Sequence, residues 1–375
     1  NGILYVTDRE PATGVEKRHF YGSTRGTFLR AGIGTLKVKA PSLGEQLIDT
    51  LPILPTTKDK LSLRVENVKE LGVLKSSNIY GELAGSESYI GAEEVDKEFA
   101  HLINQKLKLS KQKDIFIFVH GYRNYFENPL LVAGEMWHYM GNDGVFIGYS
   151  WTSTPSLAAY MKDVETARLS GAKFRRFLEY VSSSTNAERV HIIAHSAGTR
   201  VALTALHELS LKNTHTSQSQ LRSKYKIGQV ALVASDYDTQ QFASSAANGM
   251  LQLPERITVY MSRKDDALGI SKILFRQDRL GQFASGKANP QSDRVVGWLN
   301  KNRKLNFVDV SGDKRSFHGS GHEYFRSSPW ISSDLQVLLR SGRSPKKRGL
   351  AKQPEELYWS FPENYEAKLR QAFQN

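Results

Sequence analysis

The chain has 375 residues, of which 39% are hydrophobic and 10% aromatic; this is enough apolar material for a large core and argues against a disordered chain. It contains no cysteine, which excludes disulfides, thiolate catalysis and cysteine-based zinc sites. The formal net charge is +13, but there is no zinc-finger spacing, arginine-rich helix or aromatic RNA-binding signature, so we expect no nucleic-acid partner.

The first 110 residues predict antiparallel strands at residues 3–6, 36–38 and 61–65, separated by loops that contain glycine and proline. We expect these strands to extend the edge of a larger sheet within the same domain. Residues 93–109 have the pattern of a helix that leads into the core.

Residues 111–340 alternate between short apolar runs and longer helical stretches, which predicts an α/β core: a mostly parallel, doubly wound sheet with helices on both faces. The run Asp114–Val119 is typical of a strand buried on both faces. Further strands are predicted at residues 145–149, 189–194, 230–234, 257–261 and 305–310, and helices at 128–140, 160–181 and 199–211. We expect the strand at 305–310 to be the last one, and residues 341–375 to pack as a basic, then acidic and aromatic, tail.

The strongest chemical signal is Ala194-His195-Ser196-Ala197-Gly198, which directly follows a predicted strand and directly precedes a predicted helix. This context is typical of a nucleophile elbow, a tight turn that lifts a serine hydroxyl above the sheet edge and needs small flanking residues. Ala194 stands where the usual G-x-S-x-G pattern has glycine, a small-for-small change. We predict Ser196 as the nucleophile rather than only a helix N-cap, with His195 and Gly198 as supporting residues.

An acyl-transfer site also needs preorganised donors for the oxyanion. His120-Gly121-Tyr122 follows the first buried strand of the core, where this fold places such a loop. We predict that the backbone N–H groups of Tyr122 and Ala197 form the oxyanion hole. His120 and Gly121 are predicted supporting residues, because glycine lets the backbone approach closely. The alternative is that His-Gly forms only a turn.

The general base should be a histidine beyond the last strand, because this fold orders its triad as nucleophile, acid, histidine. Only His318 and His322 lie past residue 300. His322 follows a glycine and opens a helix-like segment, which suits a loop that reaches back over the sheet. We therefore favour His322 over His318.

The acid should follow a late strand, where it accepts a hydrogen bond from the second imidazole nitrogen. Asp265 and Asp266 follow the strand at 257–261, and Asp236 and Asp238 follow the strand before it. Position after the penultimate strand favours the first pair. The pattern alone does not decide which member of that pair points inward.

Other polar residues have structural interpretations. We interpret Asp163 and Glu165 on a predicted helix as solvated, and Trp151 at a strand end as packing. No histidine or carboxylate spacing is typical of a metal site, and no Walker or dinucleotide motif is present. The sequence therefore predicts neither a metal nor a cofactor.

Taken together, these residues resemble a bacterial α/β-hydrolase family of uncharacterised function, the esterase/lipase superfamily enzymes. The resemblance implies an esterase or lipase-like activity, with the acid on Asp265 and the histidine on His322. Asp266, a second carboxylate, departs from the family pattern and leaves the choice of acid open. The similarity covers most of the chain to about residue 340 and is carried by Tyr5-Val6-Thr7-Asp8-Arg9, Phe118-Val119-His120-Gly121-Tyr122, Tyr149-Ser150-Trp151-Thr152-Ser153, Tyr160 with Asp163, Ala194-His195-Ser196-Ala197-Gly198, Ser262-Arg263-Lys264-Asp265-Asp266-Ala267-Leu268 and Gly321-His322-Glu323-Tyr324-Phe325.

The sequence thus predicts a serine hydrolase that cleaves small-molecule or lipid carboxylic esters through an acyl-enzyme, with Ser196, His322 and Asp265 as its triad. One alternative is a phospholipase or long-chain lipase that acts at anionic membranes, which the basic surplus would favour. Another is a hydrolase-fold binding protein without turnover.

The compartment and the oligomeric state are left open by the sequence. No stretch approaches 18 consecutive apolar residues, so we expect a soluble protein without a transmembrane helix. The start at Asn1 is compatible with a removed targeting segment, and hence with export or association with the cell envelope. The most compact basic run, Lys346-Lys347-Arg348, is interpreted as solvated surface.

Overall fold

The computed structural model describes residues 2–16, 19–39, 62–80, 91–156, 159–265, 268, 279–282, 297–299, 301–312, 322–352 and 358–374. The chain forms two compact units. One comprises Asn1–Thr166 and Arg176–Glu188, and the other Ala167–Arg175 and Arg189–Asn375.

The first unit contains five described strands in the order β4-β5-β1-β2-β3. The strands β1, β5 and β4 run parallel, whereas β2 pairs antiparallel with both β1 and β3. The strands are β1 (Ile3–Pro11), β2 (Tyr21–Lys39), β3 (Ser62–Val73), β4 (Asp114–Val119) and β5 (Val145–Ser150). The helices are α1 (Ala92–Leu109), α2 (Glu127–Tyr139) and α3 (Tyr160–Ser184). The middle turns of α3 belong to the second unit.

The central strands of the first unit are buried along their whole length. All six residues of β4 and all six of β5 are buried, as their mostly apolar sequences predict. Helix α2 packs closely on β5 at Gly148, where an added Cβ would lie 3.0 Å from the carbonyl carbon and oxygen of Pro129. A glycine at this position therefore allows the helix to approach the sheet.

The second unit contains five described strands, all parallel, in the order β10-β9-β8-β7-β6. The strands are β6 (Arg189–His195), β7 (Ile227–Val233), β8 (Arg256–Met261), β9 (Leu305–Asp309) and β10 (Trp359–Ser360), and the helices are α4 (Gly198–Lys212), α5 (Gln218–Tyr225), α6 (Thr239–Ala247), α7 (Tyr324–Ser327), α8 (Pro329–Ser341) and α9 (Tyr365–Gln374).

The mostly parallel strands with interleaved helices, and the antiparallel strands near the N-terminus, match the predicted architecture. Every predicted core strand and helix overlaps an observed one. The prediction that the strand near residue 305 is the last was wrong, because β10 pairs with β9 through Trp359 and Ser360. A two-residue strand is too short to leave a periodic pattern in the sequence. Among the described residues, no helix has the length and apolar character needed to cross a membrane.

The basic run near the C-terminus is only partly a surface feature. Lys346 and Lys347 are exposed, but Arg348 is 0% exposed, so its interpretation as solvated was wrong. The short 3-10 helix Pro345–Arg348 turns this last side chain inward, where its Nε and Nη2 donate to the carboxylate of Asp334 at 2.8 and 3.0 Å.

Candidate active site

Ser196 lies in the turn between β6 and α4 with a φ of +52°, in the left-handed region that non-glycine residues seldom adopt. Its backbone N–H donates to the Val233 carbonyl at 2.9 Å. The flanking Ala194 and Ala197 are both small and buried. This is the backbone conformation that a nucleophile elbow requires.

The strained turn is held by a side chain that sequence reasoning missed. Thr199, in the first turn of α4, donates to the Ser196 carbonyl from its Oγ1 at 2.6 Å and from its backbone N–H at 3.0 Å. The same hydroxyl accepts a hydrogen bond from Ser235 Oγ at 3.0 Å. The sequence signal was a hydroxyl residue three positions after the serine, a spacing that is also common in ordinary helix starts.

Asp265 and His322 lie in contact in the second unit. His322 Nδ1 is 2.8 Å from Asp265 Oδ2 and 3.0 Å from Oδ1, and the Asp265 carboxylate is fully buried. Asp265 Oδ1 also accepts the Leu268 backbone N–H at 3.0 Å. An ionised carboxylate can only accept, so the imidazole proton lies on Nδ1 and the Nε2 lone pair is available to a reacting group.

The remaining candidates for acid and base are placed differently. His318 and Asp266 lie outside the described residues. Asp236 forms an ion pair with Arg200 at 3.0 Å. Asp238 caps α6, where its Oδ1 accepts the N–H of the third helical residue at 2.8 Å. Among the candidate aspartates that the structure describes, Asp265 is the one whose side chain contacts His322.

The charge environment favours a protonated His322 more than water does. Burial acts to lower the pKa of His322, but the hydrogen bond and charge of Asp265, with smaller contributions from Asp236 and Glu323, raise it above its ordinary value of 6.5. The same carboxylate would stabilise an imidazolium formed during a reaction.

This shift gives a pH prediction. Only the neutral imidazole can take a proton, so the kcat/KM of a reaction that uses His322 as its base should fall as the pH drops below the raised pKa of His322. In Asp265→Asn the main cause of the raised pKa is removed. For such a reaction we expect the acid limb of kcat/KM to move to lower pH and the plateau to fall by about 10²- to 10⁴-fold, measured from turnover between about pH 4 and 9. Glu323→Gln, at an exposed neighbour, is the control and should move the limb little; an unmoved limb in Asp265→Asn would contradict the assignment.

His195, the residue before the serine, contacts the backbone of His322. Its Nε2 lies 3.1 Å from the His322 carbonyl oxygen, which requires the proton on Nε2, since a carbonyl only accepts. The ring centroids of His195 and His322 are 5.0 Å apart, and those of His195 and Phe325 are 4.9 Å apart. Within the described residues, no hydrogen bond joins the Ser196 hydroxyl to His322; such contacts often tighten only when a substrate binds.

In the first unit, His120 is buried in the loop after β4. Its Nδ1 lies 2.5 Å from the Gly121 carbonyl, and its Nε2 lies 3.1 Å from the carbonyl of Trp151, whose indole N–H donates back to the His120 carbonyl at 2.6 Å. Burial, together with the charge of Arg9, lowers the pKa of His120 to about 3, while the contacts with the Gly121 and Trp151 carbonyls act to raise it. These contacts indicate a structural role for His120 rather than a role in proton transfer.

The two predicted oxyanion donors belong to different units, Tyr122 to the first and Ala197 to the second. The shared oxyanion hole stays a prediction. The Tyr122 ring packs edge-on against the Tyr160 ring, with 5.0 Å between the ring centroids.

The sequence-based interpretation of Asp163 as solvated was wrong, because its side chain is 1% exposed. Asp163 lies at the start of α3, and its Oδ2 accepts a hydrogen bond from the Thr154 N–H at 2.8 Å.

Among the residues that the structure describes, no group of three histidine, cysteine or acidic residues could hold a metal ion.

Comparison with known proteins identifies a family. The family model described as "Alpha/beta hydrolase of unknown function (DUF900)" matches residues 95–341. The crystal structure of a lipase-esterase related protein from Clostridium acetobutylicum ATCC 824 is similar at 14% identity and a TM-score of 0.23, covering 53% of this chain and 74% of that chain, a likeness too weak to carry an argument. No curated protein matches the sequence. Because the family model spans more than half of the chain, the predicted family and α/β-hydrolase fold are confirmed: the chain belongs to the family of alpha/beta hydrolases of unknown function.

Proposed function

We propose that this protein is a serine hydrolase that cleaves carboxylic esters through an acyl-enzyme. The observation that carries the proposal is the contact between His322 Nδ1 and the buried Asp265 carboxylate at 2.8 Å. This pair lies in the same unit as Ser196, whose left-handed backbone is that of a nucleophile elbow. Membership in a hydrolase family supports the same reaction class.

In the proposed reaction, Ser196 Oγ attacks the ester carbonyl while His322 Nε2 takes the hydroxyl proton. Asp265 keeps the other proton on Nδ1 and stabilises the imidazolium. When the tetrahedral intermediate collapses, the alcohol leaves with the proton from Nε2. Water then gives a proton to the same nitrogen and attacks the acyl-serine. When the second tetrahedral intermediate collapses, the bond to Ser196 Oγ breaks, Oγ takes the proton back from Nε2, and the carboxylic acid leaves.

The negative oxygen of the tetrahedral intermediate needs donors. The Ala197 N–H has no acceptor among the described residues, and it lies at the start of α4, where the helix dipole favours negative charge. We assign it as one donor to that oxygen. One such donor contributes about 10²- to 10³-fold to kcat in serine hydrolases.

The proposed esterase activity and its dependence on acyl-chain length are tested with a series of p-nitrophenyl esters, from acetate through butyrate and octanoate to palmitate. Ser196→Ala serves as the blank. Hydrolysis of the short esters that is lost in the blank is the expected result. A preference for palmitate, together with salt-sensitive hydrolysis of anionic phospholipid vesicles, would instead support the lipase alternative, because salt screens attraction between a basic protein and anionic lipid. Turnover of no ester, or equal turnover in the blank, would contradict the proposal.

A further inference from the structure

Tyr324, the first residue of α7, has a buried hydroxyl that the proposed reaction does not use. The residue is 0% exposed, and within the described part of the chain its hydroxyl takes part in two hydrogen bonds. The oxygen accepts the backbone N–H of Ala234 at 2.7 Å, and the hydroxyl donates to the Tyr260 carbonyl at 2.8 Å. Ala234 directly follows β7, and Tyr260 lies near the end of β8. One hydroxyl thus joins α7 to the carboxyl ends of two neighbouring strands of the second unit.

The hydroxyl is not needed to fill space at this position. A buried hydroxyl must find hydrogen-bond partners, whereas phenylalanine would fill almost the same volume without that requirement. The Ala234 N–H does not depend on Tyr324 either, because it also donates to the Tyr260 carbonyl at 3.2 Å. What the hydroxyl adds is a directional contact on each side, which gives the start of α7 one defined position on the strand ends.

The peptide group between Val233 and Ala234 connects Tyr324 to the nucleophile. Its N–H is the donor to the Tyr324 hydroxyl, and its carbonyl oxygen accepts the backbone N–H of Ser196 at 2.9 Å. A peptide group is planar, so the two hydrogen bonds leave from opposite sides of one rigid unit. Ala234 has a φ of +48°, a conformation that persists in a non-glycine residue when its surroundings over-determine it. The same group therefore sets the positions of the Ser196 backbone and of the Tyr324 hydroxyl.

On the side of the base, Tyr324 lies two residues after His322. Consecutive Cα atoms are about 3.8 Å apart, so an anchored Tyr324 keeps the His322 backbone within about 7.6 Å of its own. A second link restricts the same backbone, because His195 donates from Nε2 to the His322 carbonyl at 3.1 Å. His195 precedes Ser196 directly, so both links lead from His322 to the turn that carries the nucleophile.

The contact between His322 and Asp265 does not supply this restriction. The carboxylate holds Nδ1 and orients the ring, but it leaves the separation between Nε2 and the Ser196 hydroxyl to the backbone of each residue. A general base works only when it comes within about 2.6–3.2 Å of the atom whose proton it takes. Fixing the two backbones relative to each other is therefore a separate requirement of the site.

We propose that Tyr324 is a positioning residue whose hydroxyl, together with the N–H of His195, fixes the His322 backbone relative to the Ser196 turn. The inference rests on the proposed function, since it presupposes that His322 accepts the proton of Ser196. It gives the phenol hydroxyl, which takes no part in the proposed proton transfers, a function in catalysis.

The test removes one oxygen atom. Tyr324→Phe deletes the hydroxyl and keeps the ring, while the Ala234 N–H retains its acceptor on Tyr260. We expect kcat for p-nitrophenyl butyrate, per active site titrated with a fluorophosphonate, to fall about tenfold with KM changed less than about twofold, because a misplaced base affects the transition state more than substrate binding. The rate at which the fluorophosphonate labels the serine should fall as well.

The matched control is Tyr225→Phe. Tyr225 is also a buried tyrosine of the second unit, and its hydroxyl accepts a hydrogen bond from Asn213 Nδ2 at 2.8 Å. Asn213 follows the last residue of α4, at the opposite end of that helix from Ser196. We expect a comparable loss of Tm in both variants and an unchanged kcat in Tyr225→Phe. A purely structural role of Tyr324 would lower Tm in both variants and leave kcat per titrated site unchanged in both.

A second variant, His195→Phe, keeps a ring beside Phe325 and removes the N–H that donates to the His322 carbonyl. We expect it to lower kcat by about tenfold as well, with KM nearly unchanged. If the wild type turns over and Tyr324→Phe keeps its kcat within about twofold, this inference is overturned while the proposed function stands. If the wild type is neither labelled nor active, the proposed function fails and this inference fails with it. Should Tyr324→Phe not fold, His195→Phe decides, and an unchanged kcat there overturns the inference.

Discussion

Ser196→Ala is expected to lower kcat for p-nitrophenyl butyrate by about 10⁴- to 10⁶-fold without unfolding the protein. The hydroxyl removed is the attacking atom, so only binding and the oxyanion donors would contribute to the remaining rate. Alanine at a φ of +52° meets the same backbone restriction as serine, and Ser196 Oγ makes no hydrogen bond among the described residues. The fold should therefore keep its Tm.

The control for this experiment is Ser183→Ala, an exposed serine in the last turn of α3. Its activity should equal that of the wild type. The measurement is kcat on protein preparations of equal Tm, corrected for spontaneous hydrolysis of the ester. Retention of more than about a tenth of the activity in Ser196→Ala would remove the serine from the mechanism.

Arg348→Ala is expected to lower the free energy of unfolding by about 3–5 kcal/mol. Arg348 and Asp334 are both 0% exposed and are joined by two hydrogen bonds, and Tyr260 donates its hydroxyl to the same carboxylate at 2.7 Å. Removing the guanidinium leaves a buried carboxylate without its cation, which is far more destabilising than losing a surface ion pair. Urea denaturation measures the change.

The neighbouring variant Lys347→Ala removes an exposed cation and should change the free energy of unfolding by less than about 0.5 kcal/mol. The paired replacement Asp334→Leu with Arg348→Met removes both charges and should recover most of the loss. A loss below about 1 kcal/mol in Arg348→Ala would show that the pair is not buried as described.

The elements that could be predicted from the sequence are those whose signals are local. The strand Asp114–Val119 is apolar from Ile115 onward and was found with the predicted bounds. The turn at Ser196 combines small residues with a strand before and a helix after, which is information held within about fifteen residues. Such signals do not depend on what the rest of the chain does.

The partners of buried charges could not be predicted in the same way. Arg348 was grouped with two lysines on the surface, because its partner Asp334 lies 14 residues away and nothing local marks it. Asp265 and Asp266 are chemically identical in sequence, and the choice depends on which one reaches His322, which is 57 residues from Asp265. The burial of Asp163 and Arg9 could not be predicted for the same reason. A charged residue has the same appearance in a sequence whether water or a distant partner satisfies it.

The most direct measurement for the central claim is covalent labelling of the folded wild-type protein with a fluorophosphonate, followed by intact mass and peptide mapping. Only a serine activated by a base reacts readily with this probe. We predict one adduct per chain on the peptide that carries Ser196, absent in Ser196→Ala, slowed in Asp265→Asn and unchanged in Ser183→Ala. A folded wild-type protein that takes no adduct, or takes it on another serine, would contradict the account.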